Sequence, residues 1–288
     1  MGEMIGKVCI VTGSNSGIGK ETALALANMG ATVVMVVRNP ERGERARTEI
    51  MNETGNRAAD LMICDLSSME SIRQFAKGFK TKYDRLNVLI NNAGTYVSKR
   101  QKTIDGFERT LAVNYLGPFL LTYELLPLLK SSAPSRVINI GSGTERSGKV
   151  DFDDLETRKH YKAMNAYANG KLMLTTCTYE LARRLEGTGV TVNVVEPGFV
   201  ATDLGRNSGS RLISLAFSIM RPLQISAKKG AETPVYLASS PDVESVTGKR
   251  FSKLKEITTA RVSCDQQIQR QLWNATIELL GLAPMHKR

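Results

Sequence analysis

The chain has 288 residues, of which 42% are hydrophobic and 23% charged, enough apolar material for one large α/β domain and incompatible with gross disorder. Its four cysteines, Cys9, Cys64, Cys177 and Cys264, are too widely spaced for a zinc or disulfide framework and fit a reducing, cytoplasmic setting. The formal charge of +11 favours anionic ligands or surfaces, but the basic residues are dispersed and carry no nucleic-acid signature, so a nucleic-acid binder is set aside.

Met1 to Gly6 is too short for a targeting segment, and no apolar run approaches membrane-spanning length. In chain order, apolar β-rich runs alternate with helical patterns, the mark of a parallel sheet with crossover helices. Strands are predicted at Lys7 to Thr12, Ala31 to Val37, Asp60 to Cys64, Leu86 to Ile90, Arg136 to Ile140 and Thr191 to Val195. Between them lie helices at Glu21 to Met29, Pro40 to about Glu53, Ser68 to Lys82, Gly106 to Leu129 and Met164 to Leu185. Pro118 and Pro127 predict a kink and a ragged end in the fourth of these. Beyond Pro197 come helices at Leu212 to Met220, Ala227 to Ser239 and Asp265 to Leu280, with a short strand at Lys249 to Ser252. Right-handed crossovers then give a single doubly wound Rossmann-type α/β domain with roughly seven mostly parallel strands over residues 1–288.

Between the first strand and first helix stand Gly13, Ser14, Asn15, Ser16, Gly17, Ile18 and Gly19. Glycines here let the backbone turn tightly and approach a pyrophosphate seated on the helix N-terminus. Arg38 ends the second strand, 19 residues after Gly19. A carboxylate there would hold a ribose diol, whereas an arginine pairs with a 2′-phosphate. The expectation is NADP(H) in preference to NAD(H), with NAD(H) still admissible. Further on, Tyr167 and Lys171 are one helical turn apart and share a face. A phenol beside an ammonium is an acid/base device, because the positive charge favours phenolate and lowers its pKa. Among the eight tyrosines only Tyr167 has a lysine four residues later; the nearby Tyr161 has Asn165 there and reads as substrate-side or surface packing.

These residues resemble the short-chain dehydrogenase/reductase superfamily. Thr12 to Gly19 is similar to its Thr-Gly-x3-Gly-x-Gly signature, and Asn91, Asn92, Ala93, Gly94 to its Asn-Asn-Ala-Gly motif. Cys64, Asp65 and Leu66 resemble the segment whose Asp contacts adenine, and Pro197-Gly198, with Val200 and Thr202 beyond it, the turn beside the nicotinamide. The resemblance implies a hydride transfer in which Tyr167 exchanges the proton and Lys171 also binds the nicotinamide ribose. Ser142 would hydrogen-bond the substrate oxygen, and Asn114 would anchor a water in the proton relay. Gly141 replaces the first Ser of the usual Ser-Ser pair, leaving Ser142 in the catalytic position.

The 25-residue interval from Ser142 to Tyr167, with an insertion over Lys149 to Lys162, resembles the retinol dehydrogenase branch, as do Phe152-Asp153-Asp154-Leu155, the run Thr247 to Ser252, and Leu272-Trp273. That branch implies a lipophilic aldehyde, retinoid, steroid or similar carbonyl or alcohol substrate. The insertion is read either as a loop shaping the substrate mouth or as a solvated excursion. Leu212 to Met220, flanked by Arg206, Arg211 and Arg221, is read as a substrate lid with peripheral membrane contact or as a core helix. Homo-oligomerisation through the helices at Gly106 to Leu129 and Met164 to Leu185 is a further expectation of the resemblance. The alternative to an enzyme is a silent NADPH-binding sensor or scaffold, against which the intact Asn114, Ser142, Tyr167 and Lys171 argue. A sugar-nucleotide epimerase shares Tyr-x3-Lys but differs in its glycine pattern.

Overall fold

A computed structural model describes residues 3–200 and 224–284. Its strands are β1 (Val8–Thr12), β2 (Thr32–Val37), β3 (Ala59–Ile63), β4 (Val88–Asn91), β5 (Ser135–Ile140), β6 (Val190–Val195), β7 (Arg250–Ser252) and β8 (Lys255–Glu256). They form one sheet in the order β3-β2-β1-β4-β5-β6-β7-β8. The first seven are parallel and β8 is antiparallel to β7. The eighth strand is the departure from the predicted seven. It is turned back by Lys253 and Leu254, both at positive φ, 50° and 65°. A two-residue hairpin loop needs that backbone, but here it lacks the Asn-Gly or Asp-Gly that would announce it.

The central strands are buried on both faces, which is why they read as continuous Val/Ile runs rather than as alternating ones. On one face Ile10, Val34, Leu89, Val137 and Val192 pack beneath α3 (Met69–Lys82), α5 (Gly117–Ser131), α6 (Ala163–Arg184) and, after the single turn α8 (Arg261–Cys264), the C-terminal helix α9 (Gln266–Leu279). On the other, Cys9, Val11, Val33, Met35, Ile90 and Ile138 pack beneath α1 (Gly17–Asn28), α2 (Pro40–Thr54) and α7 (Ala227–Ser239). Each such side chain, fully buried, contributes ~1.5–3 kcal/mol. Strand order reverses between β1 and β4, so the crevice beyond their carboxyl ends is the place this topology provides for a ligand.

Local chemistry sets the helix ends that border that crevice. Asn39 caps α2 by accepting from the Arg42 amide at 2.8 Å, with Pro40 at the first helical position. Ser68 caps α3. The helix predicted from Gly106 instead starts at α4 (Arg109–Leu111), because the buried Glu108 carboxylate accepts from the Thr110 and Leu111 amides at 2.9 and 2.7 Å. Ala112–Leu116 then forms a π-turn before α5 begins. Pro118 has no N–H to offer the Asn114 carbonyl, its acceptor in a regular α-helix, so the chain widens there and Gly117 bonds Ala112 instead. Pro127 lies inside α5, which runs on to Ser131 without the early ragged end its sequence suggested.

Candidate active site

A cleft of about 520 Å³ opens at the carboxyl edge of the sheet. Gly13, Asn15, Ser16, Gly17, Ile18 and Gly19 line it at the turn into α1. Gly13 and Gly17 have φ of +67° and +57°, a conformation that favours glycine. A Cβ at Gly13 would lie 2.9 Å from the Ala93 Cα, and one at Gly19 would strike the Asn92 amide and the Gly13 carbonyl. Ser14 differs from its neighbours: it is fully buried, lies outside the cleft lining, and its hydroxyl has no partner. Ser16 heads α1 without a side-chain cap, and the first turn holds no acidic residue, so its amides and positive dipole end stay available to a phosphate.

Thr12 joins this turn to the next one. Its hydroxyl accepts from the Asn92 and Ala93 amides at 2.9 and 3.0 Å, while Asn92 Nδ2 donates to the Thr12 carbonyl at 2.7 Å. Asn92, Ala93 and Gly94 are thereby held along the cleft opposite Gly13. Asp65 and Leu66 line it after β3, with Asp65 Oδ1 accepting from the Ser67 amide and hydroxyl at 2.9 and 2.7 Å. At the end of β2 the exposed Arg38 lines the cleft, and so does Arg42. Arg42 was not anticipated; its place in the first turn of α2, four residues from Arg38, was the available signal.

At the other end, Ser142, Tyr167 and Lys171 come together although they arise from the end of β5 and from α6. Ser142 Oγ accepts from the Thr144 hydroxyl at 2.9 Å, so its own hydrogen serves as a donor, toward Tyr167 in this structure. The Tyr167 ring faces Tyr96 edge-on at 5.9 Å, and Lys171 Nζ stands 5.9 Å from the Tyr167 ring centroid. Lys171 is buried and donates to the Ile140 carbonyl at 2.7 Å. Burial pulls its pKa down to about 8. Burial also pushes the Tyr167 hydroxyl above its ordinary 10.0, with the Ser142 hydrogen bond acting against the rise. The expected lowering of the phenol by Lys171 is therefore corrected: desolvation sets the direction, and the Ser142 hydrogen bond is what opposes it.

Asn114 sits behind this group, fully buried in the π-turn and outside the cleft lining. Its Oδ1 accepts from the Thr95 amide at 2.8 Å and its Nδ2 donates to the Thr95 carbonyl at 2.9 Å. A Cβ on Gly94 would lie 3.3 Å from that Oδ1 and 3.7 Å from Lys171 Nζ. Asn114 thus orders the Gly94–Thr95 backbone against the lysine. Pro197, Gly198, Phe199 and Val200 close the same end, and Tyr96, Val97, Val113 and Met164 give it apolar walls. Thr202 and the 212–220 segment with Arg206, Arg211 and Arg221 lie outside the described residues.

The 149–162 insertion packs onto the protein rather than extending into solvent. Phe152 and Leu155 rest on the core, and the buried Glu156 accepts from the Glu108 amide at 3.0 Å and pairs with Arg100 and Arg158. Tyr161 donates to the Val97 carbonyl at 3.1 Å, so its role is packing behind the cleft wall.

The family model for short chain dehydrogenases matches residues 7–212. The chain is a short-chain dehydrogenase. Retinol dehydrogenase 12 from Homo sapiens is 43% identical over 280 residues, covering 97% of this chain and 88% of that protein. Retinol dehydrogenase 13 from Homo sapiens is 42% identical, covering 96% and 85%. Among solved structures, Pseudomonas aeruginosa RhlG in its NADP active-site complex superposes with a TM-score of 0.70 at 28% identity, over 87% of this chain and 96% of that one. This short-chain dehydrogenase belongs to the retinol dehydrogenase-like branch and is an oxidoreductase of CH–OH groups in small molecules, using a nicotinamide cofactor. The glycine turn, packed so closely at Gly13 and Gly19 that a Cβ would collide with the Asn92–Ala93 turn or the Gly13 carbonyl, and the uncapped α1 terminus fit that cofactor's pyrophosphate. No helix among the described residues is long and apolar enough to cross a membrane.

Proposed function

We propose that this dehydrogenase works with NADP(H) on a lipophilic carbonyl or alcohol, with Tyr167 as proton donor in reduction and acceptor in oxidation. One observation carries the reading: a single continuous cleft has Arg38 and Arg42 at one end, the glycine turn in its middle, and Ser142, Tyr167 and Lys171 between apolar walls at the other. Arg38 and Arg42 would hold a 2′-phosphate by charge-assisted hydrogen bonds. Lys171 would bind the nicotinamide ribose. The cofactor, when bound, supplies or accepts the hydride.

Ser142 would turn its hydrogen to the substrate oxygen and stabilise the charge that grows there. Tyr167, protonated at neutral pH as a phenol ordinarily is, then delivers its proton to that oxygen. The Asn114 carbonyl, denied its α-helical donor by Pro118, is the group on which a relay water would rest. Tyr96, Val97, Met164 and Phe199 select an apolar body beside the reacting carbon.

The test is NADPH oxidation over a panel of retinals, straight-chain aldehydes, steroids and quinones, repeated with NADH. Turnover should favour NADPH and lipophilic carbonyls, and Tyr167→Phe should lose about 10²–10⁴-fold in kcat with NADPH binding retained. Equal use of NADH would overturn the cofactor assignment, and full activity in the phenylalanine variant would overturn the mechanism.

A further inference from the structure

Behind the Ser142 turn lies a buried ionic cluster with no direct place in the chemistry. Arg250, the first residue of β7, is completely buried. Its Nη1 pairs with Glu145 Oε1 and its Nη2 with Glu196 Oε2, each at 2.6 Å. Glu145 is itself completely buried, and its other oxygen accepts from the Thr175 hydroxyl at 2.5 Å. One guanidinium thus faces two carboxylates. Such a cluster is a poor source of net stability compared with apolar side chains of the same volume. What a planar fork does supply is direction, because it fixes two acceptors relative to each other.

Both acceptors stand beside the active site. Arg250 Nη2 also donates to the Ser142 carbonyl at 3.2 Å, and the Glu145 amide donates to that carbonyl at 3.2 Å. The backbone that carries the Ser142 hydroxyl is therefore gripped by the arginine and by the arginine's partner. Glu196 immediately precedes Pro197 and Gly198, which line the cleft. Its Oε1 would be only 2.9 Å from a Cβ at Gly143, so the carboxylate lies directly against the Ser142–Gly143 backbone.

We propose that Arg250 is a positioning residue for the reaction: by bridging Glu145 and Glu196 it holds the Ser142 turn and the Pro197 turn at one fixed separation where both border the cleft. This rests on the reading of Ser142 as the donor to the substrate oxygen. An arginine at this distance from the chemistry acts only through geometry, and small misplacement of a reacting group costs rate rather than cofactor affinity. Lysine keeps the charge but replaces the rigid planar fork with a compact, freely rotating ammonium that does not fix the directions of two carboxylates.

The experiment pairs amide hydrogen exchange with steady-state kinetics on wild type, Arg250→Lys and Glu196→Gln, each with and without Ser142→Ala. The glutamine variant keeps volume at a partly exposed site and so reports even where the buried lysine variant folds poorly. Exchange should quicken about tenfold over residues 142–148 and 196–200 and stay unchanged over residues 13–19. In step, kcat should fall about 10–100-fold with KM for NADPH within twofold, and the loss should shrink below about threefold in the Ser142→Ala background. Unchanged exchange at both turns, or an equal kcat loss in both backgrounds, overturns the proposal. If Ser142→Ala alone leaves turnover intact, the reading of Ser142 falls and exchange decides by itself: faster exchange retains Arg250 as the residue that sets both turns, and unchanged exchange removes it.

Discussion

Tyr167 and Lys171 are moved in opposite directions by the same cause. Desolvation disfavours charge on either, raising the phenol above 10.0 and bringing the ammonium from its ordinary 10.5 to about 8. For Lys171 the folded value lies below the unfolded one, so between about 8 and 10.5 the unfolded chain holds a proton that the folded chain has lost. Stability must then rise with pH across that window, and below it the buried ammonium is a standing cost. Measured against Lys171→Met, the unfolding free energy of the wild type should gain about 2–3 kcal/mol between pH 7.5 and 10 in urea titrations. A flat difference would mean that the ammonium is solvated. The lysine is thus held in a place that does not suit its charge, a tension common to groups kept for chemistry rather than for packing.

At the scale of elements, the two cofactor turns form one unit through Thr12. Valine there would leave the Asn92 and Ala93 amides without an acceptor, while serine would restore it. Thr12→Val should cost about 2–4 kcal/mol in unfolding free energy and raise KM for NADPH, and Thr12→Ser should recover most of both. The glycine turn and the Tyr167–Lys171 pair were legible as a short run at the end of an apolar strand and as one helix face, whereas Asn92 to Gly94 and Ser142 were legible only through the family motifs they resemble. The strands were legible because doubly buried sheets leave continuous Val/Ile runs. Other features were hidden because they depend on contacts between distant parts of the chain. Arg250 meets Ser142 across 108 residues, and no local spacing marks that pair. Thr144 is two residues from Ser142, but its donation depends on the 3-10 turn at Gly143–Ser147. Ser14 sits within a legible motif yet turns inward. The π-turn was partly legible: Pro118 announced a break, and only the backbone shows that the break widens the helix instead of kinking it.

For the whole molecule, α9 ties the last part of the chain to the first. Trp273 packs on Phe119 with ring centroids 4.7 Å apart, and the Arg184 guanidinium lies 4.8 Å from the indole centroid. Tyr115, buried in the π-turn, hydrogen-bonds Thr276 of α9 and lies 2.9 Å from Cys177 Sγ of α6. Arg73 and Tyr123 reach the carbonyls of Leu280 and Ala283 just beyond α9. The helix therefore covers α5 and α6 on the side away from the cleft. Trp273→Ala should lower stability by about 3–5 kcal/mol in equilibrium unfolding, with KM for NADPH little changed in the folded protein.

Trp273 is the one tryptophan in the chain. Its emission is consequently a built-in optical label for a single event, the departure of α9 from its bed, whereas far-ultraviolet ellipticity sums over every helix and strand. Denaturation curves from the two signals will superimpose if the C-terminal helix melts with the sheet. An earlier fluorescence transition would identify α9 as a separate cooperative unit, detached while the nucleotide cleft is still intact.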